Sequence, residues 1–169
     1  MNSKKEVMEN ILMADGYMGA MFPHIEKLEL ILTGGSSFLL KGLGNKFTLD
    51  IDSISELDSN VAEFLESFAI NNHAVEVTKL QSGYKERMVH FKSNCKVFDL
   101  YLLSNEDLVI SKLGRCSSDD MADILNTGIL DITNIDRLTQ LAEQLCSENQ
   151  AFTSKWNYFK KTVLGEMVA

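Results

Sequence analysis

The chain carries 24 acidic and 16 basic side chains over 169 residues, a net charge of −8 at pH 7. Gripping long nucleic acid by phosphate neutralisation needs clustered Lys and Arg, so this balance argues against extensive nucleic-acid binding while leaving room for a small nucleic-acid end. The length suits one ordinary domain, spanning 1–169, that can bury about 70% of the surface its unfolded chain exposes, and no apolar run reaches the roughly 18 residues of a membrane span.

In chain order, residues 4–14 carry Val7, Ile11 and Leu12 at helical spacing, and Gly16, Gly19 and Pro23 mark a break before the first strand. Leu28 to Thr33 is an apolar run of strand length that stops at Gly34-Gly35-Ser36, beyond which Phe38-Leu39-Leu40 looks helical. Thr48 to Ser53 reads as a second strand. After Asp58 comes the clearest helix, with the apolar stripe Val61, Phe64, Leu65, Phe68 and Ala69 and a cap from Asp58 or Ser59. Three strands are expected near 74–79, 85–92 and 96–103, joined by Ser82-Gly83 and Ser93-Asn94, which suggests antiparallel neighbours in a mixed sheet. The C-terminal third is helical over about 133–168. One stripe there is Leu138, Leu141, Ala142 and Leu145; another is Phe152, Trp156, Phe159, Val163 and Met167, and both read first as core. The fold class is α+β, a mixed β-sheet flanked by helices with a core near 24–125 and a helical C-terminal part.

The chemistry concentrates in a few acids and glycines. In an extended strand Asp50 and Asp52 project from one face while Leu49 and Ile51 project from the other, so two carboxylates point at one place. Like charges at that range repel unless a cation lies between them, and magnesium, with its preference for hard oxygen ligands and substrate phosphates, is the usual answer. Gly34, Gly35 and Ser36 form a turn whose backbone can approach an anion at a helix start. Asp99 is set among the apolar residues of Lys96 to Leu103, and because an unpaired charge in a buried strand is expensive, an Asp there implies a partner or an ion. Each feature also has a plain structural reading, because Gly-Gly-Ser is a common turn and Asp-x-Asp a common solvated strand edge. On a helix Lys112, Arg115 and Asp119 form one polar stripe, either a phosphate clamp or a solvated face with an Arg115–Asp119 pair. Lys41 and Lys46 are further cations that can serve a triphosphate, while Lys155, Lys160 and Lys161 read as ordinary solvation.

Gly34-Gly35-Ser36, the Asp50-x-Asp52 pair and the later strand acid Asp99 resemble the nucleotidyltransferase superfamily, which includes DNA polymerase beta, aminoglycoside nucleotidyltransferases and minimal bacterial nucleotidyltransferases. The resemblance covers about residues 28–125. It implies that Asp50 and Asp52 bind the Mg2+ (or Mn2+) ions holding a triphosphate, that Asp99 completes the metal site and helps activate the attacking hydroxyl, and that Gly35 and Ser36 contact phosphate. Gly34, Lys112 and Arg115 join them as candidate nucleotide-binding residues. The segment from Leu103 to Arg115, followed by Asp119, Asp120 and Asp123, looks like small bacterial proteins related to the AbiE-type toxins of toxin–antitoxin systems. The expected activity is Mg2+-dependent transfer of a nucleoside monophosphate from an NTP to a hydroxyl of an unknown acceptor, an RNA end, a protein or a small molecule. The alternative is an inactive scaffold that binds a protein partner in a toxin–antitoxin or defence pair.

Other motifs are missing. Gly42-Leu43-Gly44 lacks the third glycine of a dinucleotide fingerprint, no P-loop is present, and Ser36 and Ser37 lack a Gly-x-Ser-x-Gly frame. His24, His73 and His90 are scattered without zinc-ligand spacing. Cys95, Cys116 and Cys146 lack Cys-x-x-Cys spacing and read as small apolar residues in a reducing compartment. Lys4 and Lys5 are followed by Glu6, Glu9 and Asp15, which spoils a signal peptide, so a cytoplasmic protein starting at Met1 with no membrane partner is expected.

Overall fold

The structure, a computed structural model, describes residues 1–44 and 46–165. In chain order it contains α1 (Lys4–Met21), β1 (Leu28–Thr33), α2 (Gly34–Leu40), β2 (Ile51–Ser53), α3 (Ser59–Glu66), β3 (Ile70–Asn71), α4 (Ala74–Val77), α5 (Tyr84–Arg87), β4 (Val89–Phe91) and β5 (Phe98–Leu102). Then follow α6 (Asn105–Arg115), α7 (Ser118–Asn126), a 3-10 turn (Ile129–Ile132), α8 (Ile135–Glu148) and α9 (Gln150–Thr162). These elements form two compact units, residues 1–76 with 88–103, and residues 77–87 with those from Ser104 on.

The first unit is built on a five-stranded mixed sheet in the order β3-β2-β1-β5-β4. β1 runs parallel to β5 and antiparallel to β2, and β4 is antiparallel to β5. Paired residues share a face, so one face presents Leu30, Leu32, Ile51, Ile70, Phe98, Leu100 and Leu102. That face is covered by Val7, Ile11, Ala14 and Met18 of α1 and by Val61 and Leu65 of α3. The opposite face carries Glu29, Thr33, Asp52, Asn71 and Asp99.

Helix α1 starts at Ser3, whose side chain accepts the Glu6 N–H, and its buried residues recur at steps of three and four. It does not break at Gly16 or Gly19, as their positions suggested. A methyl group at Gly16 would meet nothing within 4 Å, so that glycine sits where no packing is lost, and the helix continues until the Phe22 N–H closes on Met18 just before Pro23.

The stretch after β3 departs most from expectation. The strand expected near 74–79 is the short helix α4, with Val75 and Val77 exposed: their alternation looks strand-like, yet no sheet neighbour buries them. Within 85–92 only Val89–Phe91 is extended, while Tyr84–Arg87 turns as α5. The edge position beside β2 goes instead to the two-residue β3, too short to show a period.

The second unit is helical, with α8 and α9 packed on α6 and on one another. Leu138, Leu141, Ala142 and Leu145 of α8 and Phe152, Trp156 and Phe159 of α9 are buried, as their spacing indicated; Met167 lies outside the described residues. Two of the late lysines are not simply solvated, while Lys161 is exposed as expected. Lys155 donates to the Gly114 carbonyl, and Lys160 lies 5.8 Å above the Trp156 ring and 3.7 Å from Glu143. Arg87 forks onto both oxygens of the fully buried Asp107 at 2.8 Å, and this paired carboxylate holds the guanidinium pKa above its ordinary value.

One buried acid has a structural role in the first unit. Asp15, on the inner half of α1, accepts the backbone N–H groups of Lys96, Val97 and Phe98 at 2.7, 2.8 and 2.8 Å and so ties the helix to the start of β5. Asp15→Ala leaves those buried donors unpaired, an expected loss of about 3 kcal/mol or more. Thermal unfolding should fall by roughly 6–12 °C for a chain of this size. The loss in Asp15→Asn should be smaller, because one oxygen acceptor survives.

Candidate active site

The junction of β1 and α2 shapes the site. Gly34 has φ of 62°, the left-handed region that disfavours a side chain, and a methyl group there would run into the Asp52 carboxylate. A methyl group at Gly35 would come within 2.6 Å of Lys46 Cε and 2.9 Å of Thr48. The open space at both glycines is therefore filled by this chain's own side chains from the segment leading into β2. Ser36 is fully buried and its hydroxyl donates inward to the Thr33 carbonyl at 3.1 Å.

Asp52 pairs with Thr33 across β1 and β2, which brings the acid pair to the end of β1 where α2 begins. On its other side Asp52 pairs with Asn71 of β3. The Asn71 amide nitrogen donates to Asp50 Oδ2 at 2.7 Å and to Asp52 Oδ1 at 3.2 Å, so both carboxylates converge on one point. Asp50 precedes β2 and is held through its backbone: its carbonyl accepts from Thr48 Oγ1 at 2.9 Å, and Thr48 in turn exchanges hydrogen bonds with the backbone of Met1. Ile51 is inside as expected. Leu49 is not its partner in the core, being 80% exposed in the bend before the strand.

Asp99 is placed elsewhere. It shares the sheet face of Asp52 but pairs with Glu29, four residues along β1 from Thr33, which is about 13 Å at strand rise. Its side chain is 43% exposed, with Lys27 at 4.0 Å. Strand alternation put it opposite the apolar face, so the burial cost that suggested an ion does not arise. Among the described residues no group of three His, Cys, Asp or Glu side chains comes together as a metal centre. The acids brought together are Asp50 and Asp52, and the residue that joins them is Asn71, which lay in a segment too short to be read as a strand.

Lys112 and Arg115 lie in the second unit. Helix α6 ends at Arg115 because Cys116 turns left-handed at φ 57°, and α7 restarts under a capping box of Ser117 and Asp120. The expected Arg115–Asp119 pair on one continuous helix is thereby replaced: Arg115 bonds Asp120 at 2.6 Å, and the buried Lys112 lies 3.1 Å from Asp120 and 2.7 Å from Asp123. Burial works against the charge on Asp120, but hydrogen bonds from Arg115 and Ser117 and the nearby Lys112 ammonium outweigh it and hold its pKa below the ordinary carboxylate range.

A mixed sheet whose first strand runs into a Gly-Gly-Ser helix start, with an Asp-x-Asp pair at the head of the neighbouring antiparallel strand, defines a protein of the nucleotidyltransferase class. The chain belongs to the family described as "nucleotidyltransferase of unknown function (DUF6036)", whose profile matches residues 9–164. Comparisons with curated proteins and with solved structures gave no match.

Two outcomes follow from this geometry. Gly34→Ala should lower unfolding stability in urea by about 2 kcal/mol or more, because it combines a left-handed backbone with a clash against Asp52. The Asp120 contribution should be present in full above its unfolded pKa of about 3.9 and be lost as pH falls through the lower folded value. Urea stability of wild type and Asp120→Asn should therefore differ at neutral pH and converge below about pH 4.

Proposed function

We propose that the protein transfers a nucleoside monophosphate from an NTP to a hydroxyl acceptor with the help of Mg2+ or Mn2+. The acceptor hydroxyl oxygen attacks the α-phosphorus in line and gives up its proton to solvent, the bond from that phosphorus to the bridging oxygen breaks, and pyrophosphate leaves with the electron pair. The observation that carries this reading is the convergence of Asp50 and Asp52 on the Asn71 amide beside Gly34.

That donor set suits a hard cation. Both ligand groups are carboxylates, the hard oxygen donors such a cation prefers, and their shared contact with the Asn71 amide brings the two side chains together. When bound, a divalent cation supplies the positive charge that offsets the triphosphate and the developing charge on the transferred phosphoryl group. Asp50 and Asp52 are the residues that would hold it beside the triphosphate. The backbone of Gly34 and Gly35, at the start of α2, is the assigned phosphate contact; the Ser36 hydroxyl is committed to Thr33. Asp99 is given no part in this site at its register position, and Lys112 and Arg115 are assigned to joining α6 and α7.

A second reading draws on α1, where Met13, Tyr17 and Met21 stand exposed at steps of four residues. Such a row suits a protein partner, and the resemblance of the α6–α7 segment to small bacterial proteins related to AbiE-type toxins suggests what kind: the other half of a toxin–antitoxin or defence pair.

The test needs no knowledge of the acceptor. Thermal unfolding is measured with each NTP, with and without Mg2+, for wild type and Asp50→Asn/Asp52→Asn. Ligand at about a hundred times its Kd adds about 2.7 kcal/mol, a rise of roughly 5–10 °C. A Mg2+-dependent rise that the double variant lacks is expected. An unchanged midpoint with every NTP would favour the partner-binding reading.

A further inference from the structure

We infer that Asn71 is a positioning residue for metal binding by the carboxylate pair, an inference that rests on the reading of Asp50 and Asp52 as metal ligands. Three observations carry it. The parallel pairing of β2 with β3 sets Asn71 beside Asp52 on the same sheet face. Its amide orientation is determined by a neighbour, since the His73 backbone N–H donates to Asn71 Oδ1 at 3.1 Å. A backbone N–H can only donate, so the oxygen must face His73 and the NH2 group must face the acids. That NH2 group then donates to Asp50 Oδ2 and Asp52 Oδ1, matching the distances of 2.7 and 3.2 Å.

An amide has two N–H bonds and no net charge, so Asn71 offsets the repulsion between two carboxylates without neutralising either. By engaging Asp50 Oδ2 and Asp52 Oδ1 the amide also fixes how both carboxylates are turned, and Asp52 Oδ2 then lies against Gly34 at the head of α2. The ligands are thus oriented before a cation arrives, the service that groups behind metal ligands provide elsewhere, where their loss weakens binding about 10–100-fold. Removal of the amide lets the two carboxylates part. The isosteric substitution Asn71→Asp acts oppositely: a third carboxylate adds repulsion without a cation and a further ligand with one.

The experiment titrates Mn2+ alone, followed by electron paramagnetic resonance of the free ion, into wild type, Asn71→Ala, Asn71→Asp and Asp50→Asn/Asp52→Asn, with thermal unfolding in EDTA and in Mn2+ alongside. The expected result is Mn2+ binding by wild type, a Kd raised about tenfold or more in Asn71→Ala, and tighter binding than Asn71→Ala in Asn71→Asp. Asn71→Asp should also unfold at a lower temperature than wild type in EDTA and recover the difference in Mn2+. A purely structural role would shift the EDTA midpoints and leave the Mn2+ affinities alike. Asn71→Ala binding Mn2+ as tightly as wild type, while the double acid variant binds none, would overturn the inference and spare the site; if Asn71→Ala does not fold, Asn71→Asp with wild-type Mn2+ affinity and no recovery of its midpoint overturns it equally. Wild type binding no Mn2+, or the double acid variant binding it equally, would overturn the metal site and Asn71's role with it.

Discussion

Two steps of backbone pairing, Leu32 with Ser53 and Thr33 with Asp52, govern the first unit. They bring the head of β2 to the place where β1 becomes a helix, and several residues leading into β2 then have fixed neighbours. Lys46 and Thr48 lie across Gly35, Asp52 lies against Gly34, and Thr48 holds the Asp50 carbonyl. Only glycine fits at positions 34 and 35, because side chains of the returning segment already occupy the volume a Cβ would need. A pair of glycines that looks like a ligand cradle is here first a packing requirement, since both are buried under side chains of the returning segment.

Two carboxylates so close together are unfavourable by themselves, and the fold answers locally. β3, with Asn71 at its end, is only two residues long, yet pairing it beside β2 gives each carboxylate a neutral donor. The amide's lack of charge matters. An ammonium in the same position would satisfy the acids so fully that a cation would have to displace it, whereas an amide reduces repulsion and leaves the acids their charge.

Buried charge in the rest of the molecule is handled by close pairing. Asp15 is matched by three backbone N–H groups, Asp107 by both arms of Arg87, and Lys112 by Asp120 and Asp123. Removing one member of such a set leaves the other stranded in a poorly hydrated place, which is why these clusters act as clasps. The clasps join segments distant in sequence, as when residue 15 meets residues 96–98. At Asp50 and Asp52 two like charges meet at a donor that carries no charge, the amide of Asn71.

Much of this was legible from local pattern. Strand β1, the stripes of α3, α8 and α9 and the order Gly-Gly-Ser then Asp-x-Asp depend on periodicity and turn chemistry that a few neighbouring residues express. The failures occurred where the deciding partner was remote. Val75 and Val77 alternate like a strand but have no sheet neighbour, and β3 is too short to show any period. Cys116 adopts a left-handed turn that breaks one expected helix into two and exchanges Asp119 for Asp120. Alternation sets Asp52 opposite Ile51, and Asp99 opposite Phe98 and Leu100, within each strand, a local property of an extended chain; that the two acids share one sheet face follows from strand pairing. How far apart they lie along that face depends on the register of β1 with β2 and β5, which is set by apolar packing between distant segments. By itself the sequence determined the glycine turn, the two-acid pair and the class of protein they mark; only the tertiary structure decided that Asn71 and not Asp99 stands beside that pair, because strand register is a non-local quantity.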